Sequence, residues 1–188
     1  MQRRIFLGGL AAMTATLVLS RVTNSLAGSA VNVDIEALQS NWRDLLAADI
    51  TVPSPQTPLP QPLPDWRGTL PAKAYQVLFE EGTEHPFSSP LNEEKRAGVF
   101  LCAACDLPLF SSAMKYDSGT GWPSFFTSIP DSLATKTDFK WVWPRTEYHC
   151  VRCGGHQGHV FDDGPAPTGQ RWCNNGLALR FVPADGQA

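Results

Sequence analysis

Two Cys-x-x-Cys pairs constrain this chain more than any other feature of its sequence. They are Cys102/Cys105 and Cys150/Cys153, and a fifth cysteine, Cys173, lies alone after the second pair. A Cys-x-x-Cys turn presents two thiolates to one ion, and two such turns complete the closed tetrahedral site that zinc prefers. The spacing therefore predicts one structural zinc ion, which can contribute on the order of 10 kcal/mol to folding.

Two other arrangements of these residues remain open. The pairs could be disulfides, although a bridge across two residues closes so short a loop that it removes little entropy from the unfolded chain. Alternatively, the second pair could join His156 and His159 in a two-cysteine, two-histidine site. That spacing is cramped and leaves the first pair without a role, so we expect the four-cysteine site.

Cys173 is the thiol that remains once the pairs hold an ion, which makes it a candidate nucleophile. Arg171 and the two histidines, His156 and His159, could lower its pKa toward neutrality, and the histidines are candidate proton donors. The alternative for Cys173 is a buried, inert cysteine, and the alternative for the histidines is that they only support the metal loop. Trp122 lies in a glycine-rich loop, and by itself it could equally be a core aromatic residue.

Composition indicates one globular domain with additional segments. The chain has 188 residues, of which 43% are hydrophobic and 18% are charged, and its formal net charge is -3. Six Trp and ten Phe can fill a core, so we expect a folded chain rather than disorder throughout. No long basic run follows the first thirty residues, and we expect no nucleic-acid partner.

Residues 1–30 are predicted to be an export signal of the twin-arginine type. Arg3 and Arg4 are followed by an apolar run that ends at Leu19, which is too short for a comfortable membrane span. Small residues up to Ala27 suit a cleavage site, and an uncleaved anchor is the alternative. We expect a periplasmic protein that is exported folded, with its metal already bound, and that meets the membrane only through this signal.

The remaining sequence predicts a mainly β protein with peripheral N-terminal helices. In residues 31–65, an amphipathic helix is expected over 34–49 with Asp34 as its N-cap, followed by a proline-rich strap over 53–64. The catalytic domain is expected over 66–188, beginning with a helix over 71–81 that ends at Gly82. Short antiparallel strands, in two sheets or a barrel, are predicted over 99–102, 139–143, 147–150, 159–161, 170–173 and 177–181.

Over residues 82–183 the chain resembles methionine sulfoxide reductase B, the enzyme that repairs the R epimer of methionine sulfoxide. The motifs that carry the resemblance occur in order along the chain and cover more than half of it. They are Gly82-Thr83-Glu84 with Pro86-Phe87, Cys102 and Cys105 leading into Leu107-Pro108-Leu109-Phe110, Asp117-Ser118-Gly119 with Gly121-Trp122-Pro123-Ser124-Phe125, Cys150 and Cys153, residues 156–165, and Arg171-Trp172-Cys173 with Asn175.

The resemblance implies a β-rich fold with a four-cysteine zinc site remote from catalysis. It implies that Cys173 is the nucleophile, that His156 and His159 lie near the sulfoxide oxygen, and that Trp122 packs against the substrate methyl group. Asn175 is similar to a polar residue that helps to order the site, and we assign Arg171 to substrate binding. The expected product is methionine plus a sulfenic acid on Cys173.

The chain departs from the family pattern at several positions. Many members have a resolving cysteine where this chain has Thr120, and no sixth cysteine replaces it. We therefore expect regeneration by a thioredoxin-like protein or a small thiol. Residues 131–145, with Trp141 and Trp143, and Asn174 and Gly176 also differ from the family norm. A non-catalytic zinc-binding paralogue and a cysteine–histidine hydrolase are the alternative functions.

Overall fold

A computed structural model describes residues 33–139 and 143–186. The predicted export signal and part of the predicted strand over 139–143 lie outside the described residues. No helix within the described ranges is long and apolar enough to cross a membrane.

The described chain contains short helices at its N-terminal end and nine strands after them. The helices are α1 (Ile35–Ser40), α2 (Trp66–Thr69) and α3 (Ala72–Glu80), and 3-10 turns span Asn41–Leu45, Pro90–Asn92, Ser112–Met114 and Gly176–Ala178. The strands are β1 (Gly98–Cys102), β2 (Pro108–Ser111), β3 (Lys115–Tyr116), β4 (Ser124–Phe125), β5 (Leu133–Asp138), β6 (Arg145–Cys150), β7 (His156–Phe161), β8 (Arg171–Asn174) and β9 (Leu179–Pro183).

These strands form two antiparallel sheets, which confirms the predicted mainly β class. One sheet has the order β2-β1-β9, and the other has the order β3-β4-β8-β7-β6-β5. Aromatic rings fill the core, where Phe110 stacks on Phe125 with centroids 4.0 Å apart and Phe100 meets Phe125 edge to face at 5.0 Å. Burying each of these side chains contributes about 1.5–3 kcal/mol.

The first predicted helix is present but shorter than 34–49. Asp34 caps it as expected, accepting a hydrogen bond from the backbone N–H of Ala37 at 3.0 Å. The α-helix ends at Ser40, whose hydroxyl donates to the backbone carbonyl of Glu36, a bond that bends helices, and the chain continues as a 3-10 turn. Trp42 in that turn is buried in the main core, so this segment packs on its own domain.

The second predicted helix, 71–81, is observed as α3 with Pro71 as its N-cap. Its predicted end is wrong by one residue. Glu81, not Gly82, takes the left-handed conformation, with φ of 51°. Glycine is the usual residue in this conformation because it has no Cβ. The carboxylate of Glu81 forms a salt bridge with the ammonium group of Lys136 at 2.7 Å.

Five of the predicted strands are confirmed within two or three residues as β1, β6, β7, β8 and β9. The strand expected over 139–143 is wrong at both described ends, because Phe139 and Trp143 lie outside strands and are 77% and 79% exposed. The observed strand is instead β5, which ends just before residue 139. It lies at the edge of the six-stranded sheet, where its polar residues face water. The prediction also missed β2, β3 and β4, of which the last two have only two residues each.

Candidate active site and metal centre

The four paired cysteines form one compact cluster, with all four Sγ atoms within 4.8 Å of one another. The Sγ atoms of Cys102 and Cys153 are 3.6 Å apart. Those of Cys105 and Cys150 are 3.5 Å apart. All four cysteines are free, so the alternative of a disulfide within each pair is wrong. The cluster is positioned to bind a metal ion.

Both Cys-x-x-Cys turns close in the same way. The N–H of Asp106 donates to the carbonyl of Cys102, and the N–H of Gly154 donates to the carbonyl of Cys150, each at 2.9 Å. Asp106 and Gly154 are both left-handed, with φ of 60° and 74°. This shared geometry directs both thiols of each pair to one point, which explains why the pattern is recognisable from sequence.

The alternative site with two cysteines and two histidines is wrong. In the described part of the chain, the four cysteines are the one cluster of His, Cys, Asp or Glu residues that could hold a metal ion. His156 instead places its Nδ1 2.8 Å from Oε1 of Glu147. Both side chains are almost completely buried.

The proline-rich segment is anchored beside the metal cluster. The described residues 53–64 form no helix or strand. The guanidinium of Arg152, which lies inside the second cysteine turn, donates to the carbonyls of Thr57 at 2.9 Å and Pro58 at 3.1 Å. It also donates to the carbonyl of Cys105 at 2.6 Å, so one side chain ties the strap to both cysteine turns.

Cys173 lies in the middle of the six-stranded sheet, between a serine and a histidine. It pairs with Ser124 on β4 and with His159 on β7, and His159 pairs in turn with Glu147 on β6. Cross-strand partners project from the same face of a sheet. The register therefore aligns a hydroxyl, a thiol, an imidazole and a carboxylate in one row.

A cavity of about 250 Å³ opens on this row. Six of its lining residues are Thr120, Trp122, His159, Arg171, Cys173 and Asn175. The indole N–H of Trp122 donates to the carbonyl of Glu84 at 3.2 Å, which fixes the ring at the cavity wall. A larger cavity of about 730 Å³ lies between α3 and β9, but Cys173 does not line it, so size alone does not mark the site.

The environment of the Cys173 thiol differs from the sequence-based expectation. Burial raises its pKa above the ordinary value, whereas the Arg171 charge and hydrogen bonds from Thr120, Arg171 and Ser124 oppose that rise. Arg171 thus acts in the predicted direction, but burial outweighs it. A sheltered thiol becomes a nucleophile when these groups stabilise its thiolate.

Arg171 is held rigidly next to this thiol. Its Nε and Nη2 atoms donate to the two carboxylate oxygens of Asp163 at 2.7 and 2.8 Å. Its guanidinium also lies 4.3 Å from the ring centre of Phe161. A paired, stacked guanidinium keeps its position, so its positive charge stays near Cys173.

His159 contacts a buried carboxylate that the sequence analysis missed. Its Nε2 lies 3.0 Å from Oδ2 of Asp138, and the same oxygen accepts from Nη2 of Arg145 at 2.7 Å. Burial lowers the pKa of His159, and the hydrogen bond to Asp138 opposes this change. A protonated His159 is therefore a stronger acid than a free imidazolium.

His156 is close to His159, with ring centroids 5.5 Å apart, but it does not line the Cys173 cavity. It lines an adjacent cavity of about 300 Å³ together with His159, Asp138 and Glu147.

Asn175 does reach the Cys173 cavity. Its Oδ1 accepts from the N–H of Glu84 at 3.1 Å, and its Nδ2 donates to the carbonyl of Gln157 at 3.0 Å.

Comparison with known proteins agrees with this arrangement. A family model described as SelR domain matches residues 70–183. A peptide methionine sulfoxide reductase MsrB of Pseudomonas putida (strain W619) is 51% identical, over 66% of this chain and 94% of that protein. Proteins of the same name from Hahella chejuensis and Methanosarcina barkeri are 47% and 50% identical, over 66% and 62% of this chain and 90% and 83% of their own lengths. This chain belongs to the methionine sulfoxide reductase B family.

Two regions that the sequence analysis singled out as departures from the family pattern lie at the site. Thr120, where the sequence analysis expects a cysteine in many members, lines the same cavity as Cys173 and lowers the pKa of its thiol. The unusual segment 131–145 supplies β5 and with it Asp138, whose side chain is 5% exposed. The divergent segment therefore contributes directly to the surroundings of His159.

The sequence analysis missed Ser124, Asp138, Glu147 and Gln157 as site residues. Ser124 and Glu147 lie in the row with Cys173, and strand alternation with a correct register would have found them. Asp138 reaches His159 only because β5 and β6 form a hairpin. No local pattern in the sequence signals that contact.

Proposed function

We propose that this chain reduces methionine sulfoxide in proteins and peptides to methionine, with selectivity for the R epimer. The observation that carries the proposal is the shared cavity, where the Cys173 thiol faces His159 and Trp122. The names of the relatives support the same activity, since each is a peptide methionine sulfoxide reductase MsrB.

In the proposed reaction, the Cys173 thiolate attacks the sulfoxide while an imidazolium protonates its oxygen. The sulfur–oxygen bond of the substrate breaks, and the oxygen ends on Cys173 as a sulfenic acid. Methionine leaves as the reduced product. His159 is the proton donor, because it lines the cavity and its lowered pKa makes the protonated ring a stronger acid than a free imidazolium. Trp122 supplies the apolar wall for the substrate methyl group.

Regeneration of Cys173 is proposed to use an external thiol. That thiol attacks the sulfenic sulfur, which releases water and leaves a mixed disulfide, and a second thiol then restores Cys173. The presence of Thr120 in the Cys173 cavity supports this route, because a threonine there offers no second sulfur. A thioredoxin-like protein or a small thiol can serve as the donor.

Zinc is the proposed metal at the four-cysteine cluster. A tetrahedron of thiolates about 2.3 Å from a zinc ion has sulfur–sulfur edges of about 3.8 Å. The observed separations of 3.5 and 3.6 Å are close to that value. Four protein ligands leave no open position, so the ion would join the two cysteine turns without taking part in the reaction.

Export to the periplasm is proposed from the sequence of residues 1–30. Its support is the arginine pair, the apolar run and the small residues that follow. Fractionation of cells expressing the full chain, with and without Arg3→Lys and Arg4→Lys, tests it. Retention of the double variant in the cytoplasm supports the proposal, and an unchanged distribution contradicts it.

The activity is tested with purified protein, dithiothreitol and each epimer of a methionine sulfoxide peptide. We expect loss of the R epimer and no loss of the S epimer. In a single turnover without reductant, a sulfenic acid should be trapped on Cys173 by dimedone and located by mass spectrometry. No turnover with any thiol, despite bound metal, would identify a non-catalytic paralogue.

A further inference from the structure

Strand β7 contains a bulge between the two histidines. Tyr148 of β6 lies opposite Gly158, and the next residue, His149, lies opposite His156, so Gln157 has no partner across the ladder. Successive side chains of a regular strand alternate between faces. His156 and His159, three positions apart, would then project in opposite directions. Because Gln157 is an extra residue in β7, the side chains of His156 and His159 project from the same face of the sheet, and their ring centroids are 5.5 Å apart.

The side chain of Gln157 extends to the four-cysteine cluster. It is completely buried, and its Nε2 donates to Sγ of Cys102 at 3.4 Å. Its backbone carbonyl accepts from both the N–H and the side-chain amide of Asn175, at 2.8 and 3.0 Å. The bulged residue is thus held at its side chain by a metal-ligand sulfur and at its backbone by Asn175.

The side-chain amide of Gln157 has a second buried hydrogen-bond partner, Asn174. Oε1 of Gln157 accepts from Nδ2 of Asn174 at 3.4 Å, and Oδ1 of Asn174 accepts from the hydroxyl of Tyr148 at 2.8 Å. Asn174 and Tyr148 both lie opposite Gly158. A Cβ at Gly158 would collide with the backbone of Cys173, so glycine is required between them.

The acceptor at Cys102 decides how firmly the bulge is held. A buried primary amide costs free energy unless its N–H groups have partners. A neutral thiol is a weak acceptor, whereas a thiolate that carries charge is a stronger one. Metal binding keeps cysteine ligands deprotonated, so the bond from Gln157 is strongest when the cluster holds its ion.

We propose that Gln157 is a positioning residue that couples the metal centre to the histidine pair. Its hydrogen bond to Sγ of Cys102 holds the β7 bulge, and the bulge holds His156 beside His159. The catalytic consequence rests on the proposed reductase function, but the coupling itself is a property of the metal-loaded protein without substrate.

The decisive variant is Gln157→Met, which keeps the length of the side chain and removes its N–H donors. Tyr148→Phe is the matched control, because it removes one buried hydrogen bond of the same network and leaves the bond to Cys102. Two readouts need no substrate: the rate of metal transfer to a chromogenic chelator, and the ring ¹⁵N signals of the histidines. A substrate assay is run separately, so failure of the reductase function does not affect this test.

For Gln157→Met we expect metal release about tenfold faster than in the wild type, with shifted ring signals for both His156 and His159. Tyr148→Phe should release metal at nearly the wild-type rate and keep the histidine signals. Wild-type release or unmoved histidine signals in Gln157→Met would overturn the proposal. An equal response of the two variants would also overturn it, since that indicates general loosening of the core.

A measurement on the unmodified chain covers the case in which Gln157→Met does not fold. After loading with ¹¹³Cd, the side-chain amide protons of Gln157 should show a scalar coupling to the metal through the hydrogen bond to Cys102. An assigned Gln157 amide without that coupling contradicts the proposal.

Discussion

The chain uses cysteine in two opposite ways, at the four-cysteine cluster and at Cys173. The cluster gathers four sulfurs within 4.8 Å, a set of ligands that could hold one metal ion. Cys173 is also sheltered, but it faces a cavity of about 250 Å³ and has an arginine and two hydroxyls as neighbours. The difference teaches that burial alone does not distinguish the two kinds of thiol, because both are sheltered and only their neighbouring groups differ.

The largest effect is expected from Cys102→Ser, which changes one residue of the four-cysteine cluster. Loss of a ligand should remove most of the stabilisation by the ion, which is on the order of 10 kcal/mol for structural zinc. A domain of this size has only about 5–15 kcal/mol in total, so we expect the variant to lose its metal and its cooperative thermal unfolding. Atomic emission and circular dichroism measure both. A variant that unfolds at the wild-type temperature would contradict the structural role.

Cys173→Ser should have the converse phenotype. A hydroxyl at this position is not ionised at neutral pH, so reduction of the R epimer should fall by at least about 10⁴-fold. Metal content and the unfolding temperature should stay at the wild-type values, because Cys173 is not in the cluster. The comparison fails if Cys173→Ser retains turnover or loses its metal.

Arg171→Met tests what makes the single thiol reactive. The Arg171 charge lowers the pKa of Cys173 against the effect of burial. Without it the pKa rises further, and alkylation of Cys173 by iodoacetamide at pH 7 should slow by about three- to tenfold. The rates should converge at high pH, where both thiols ionise. Arg180→Met, which breaks the exposed pair with Asp106, is the matched control and should alkylate at the wild-type rate.

The smallest effect is expected from Asp138→Asn. Burial lowers the pKa of His159, and Asp138 opposes that change. The variant should therefore have a lower His159 pKa, and the protonated acid is lost at a lower pH. The alkaline limb of the kcat/KM profile should move to lower pH, while alkylation of Cys173 at neutral pH stays near wild type. An unmoved limb would show that His159 is not the acid.

Much of the fold could be read from local patterns. The β-branched and aromatic content of 99–102 and 147–150 predicts strands that the structure contains, and Asp34 predicts the cap of α1. The errors have physical reasons. β5 is a polar edge strand without the apolar alternation that marks a half-buried strand, and β3 and β4 are too short to show a period.

The sequence by itself determined the candidate metal ligands, because a Cys-x-x-Cys turn is a local structure. It also determined the candidate nucleophile, because Cys173 is the one cysteine outside the two pairs. Only the tertiary structure decided which groups surround that thiol. Asp138 meets His159 across two paired strands, and His156 shares a side with His159 because of one unpaired residue, Gln157. Strand register and bulges depend on packing between segments distant in sequence, so no local pattern specifies them.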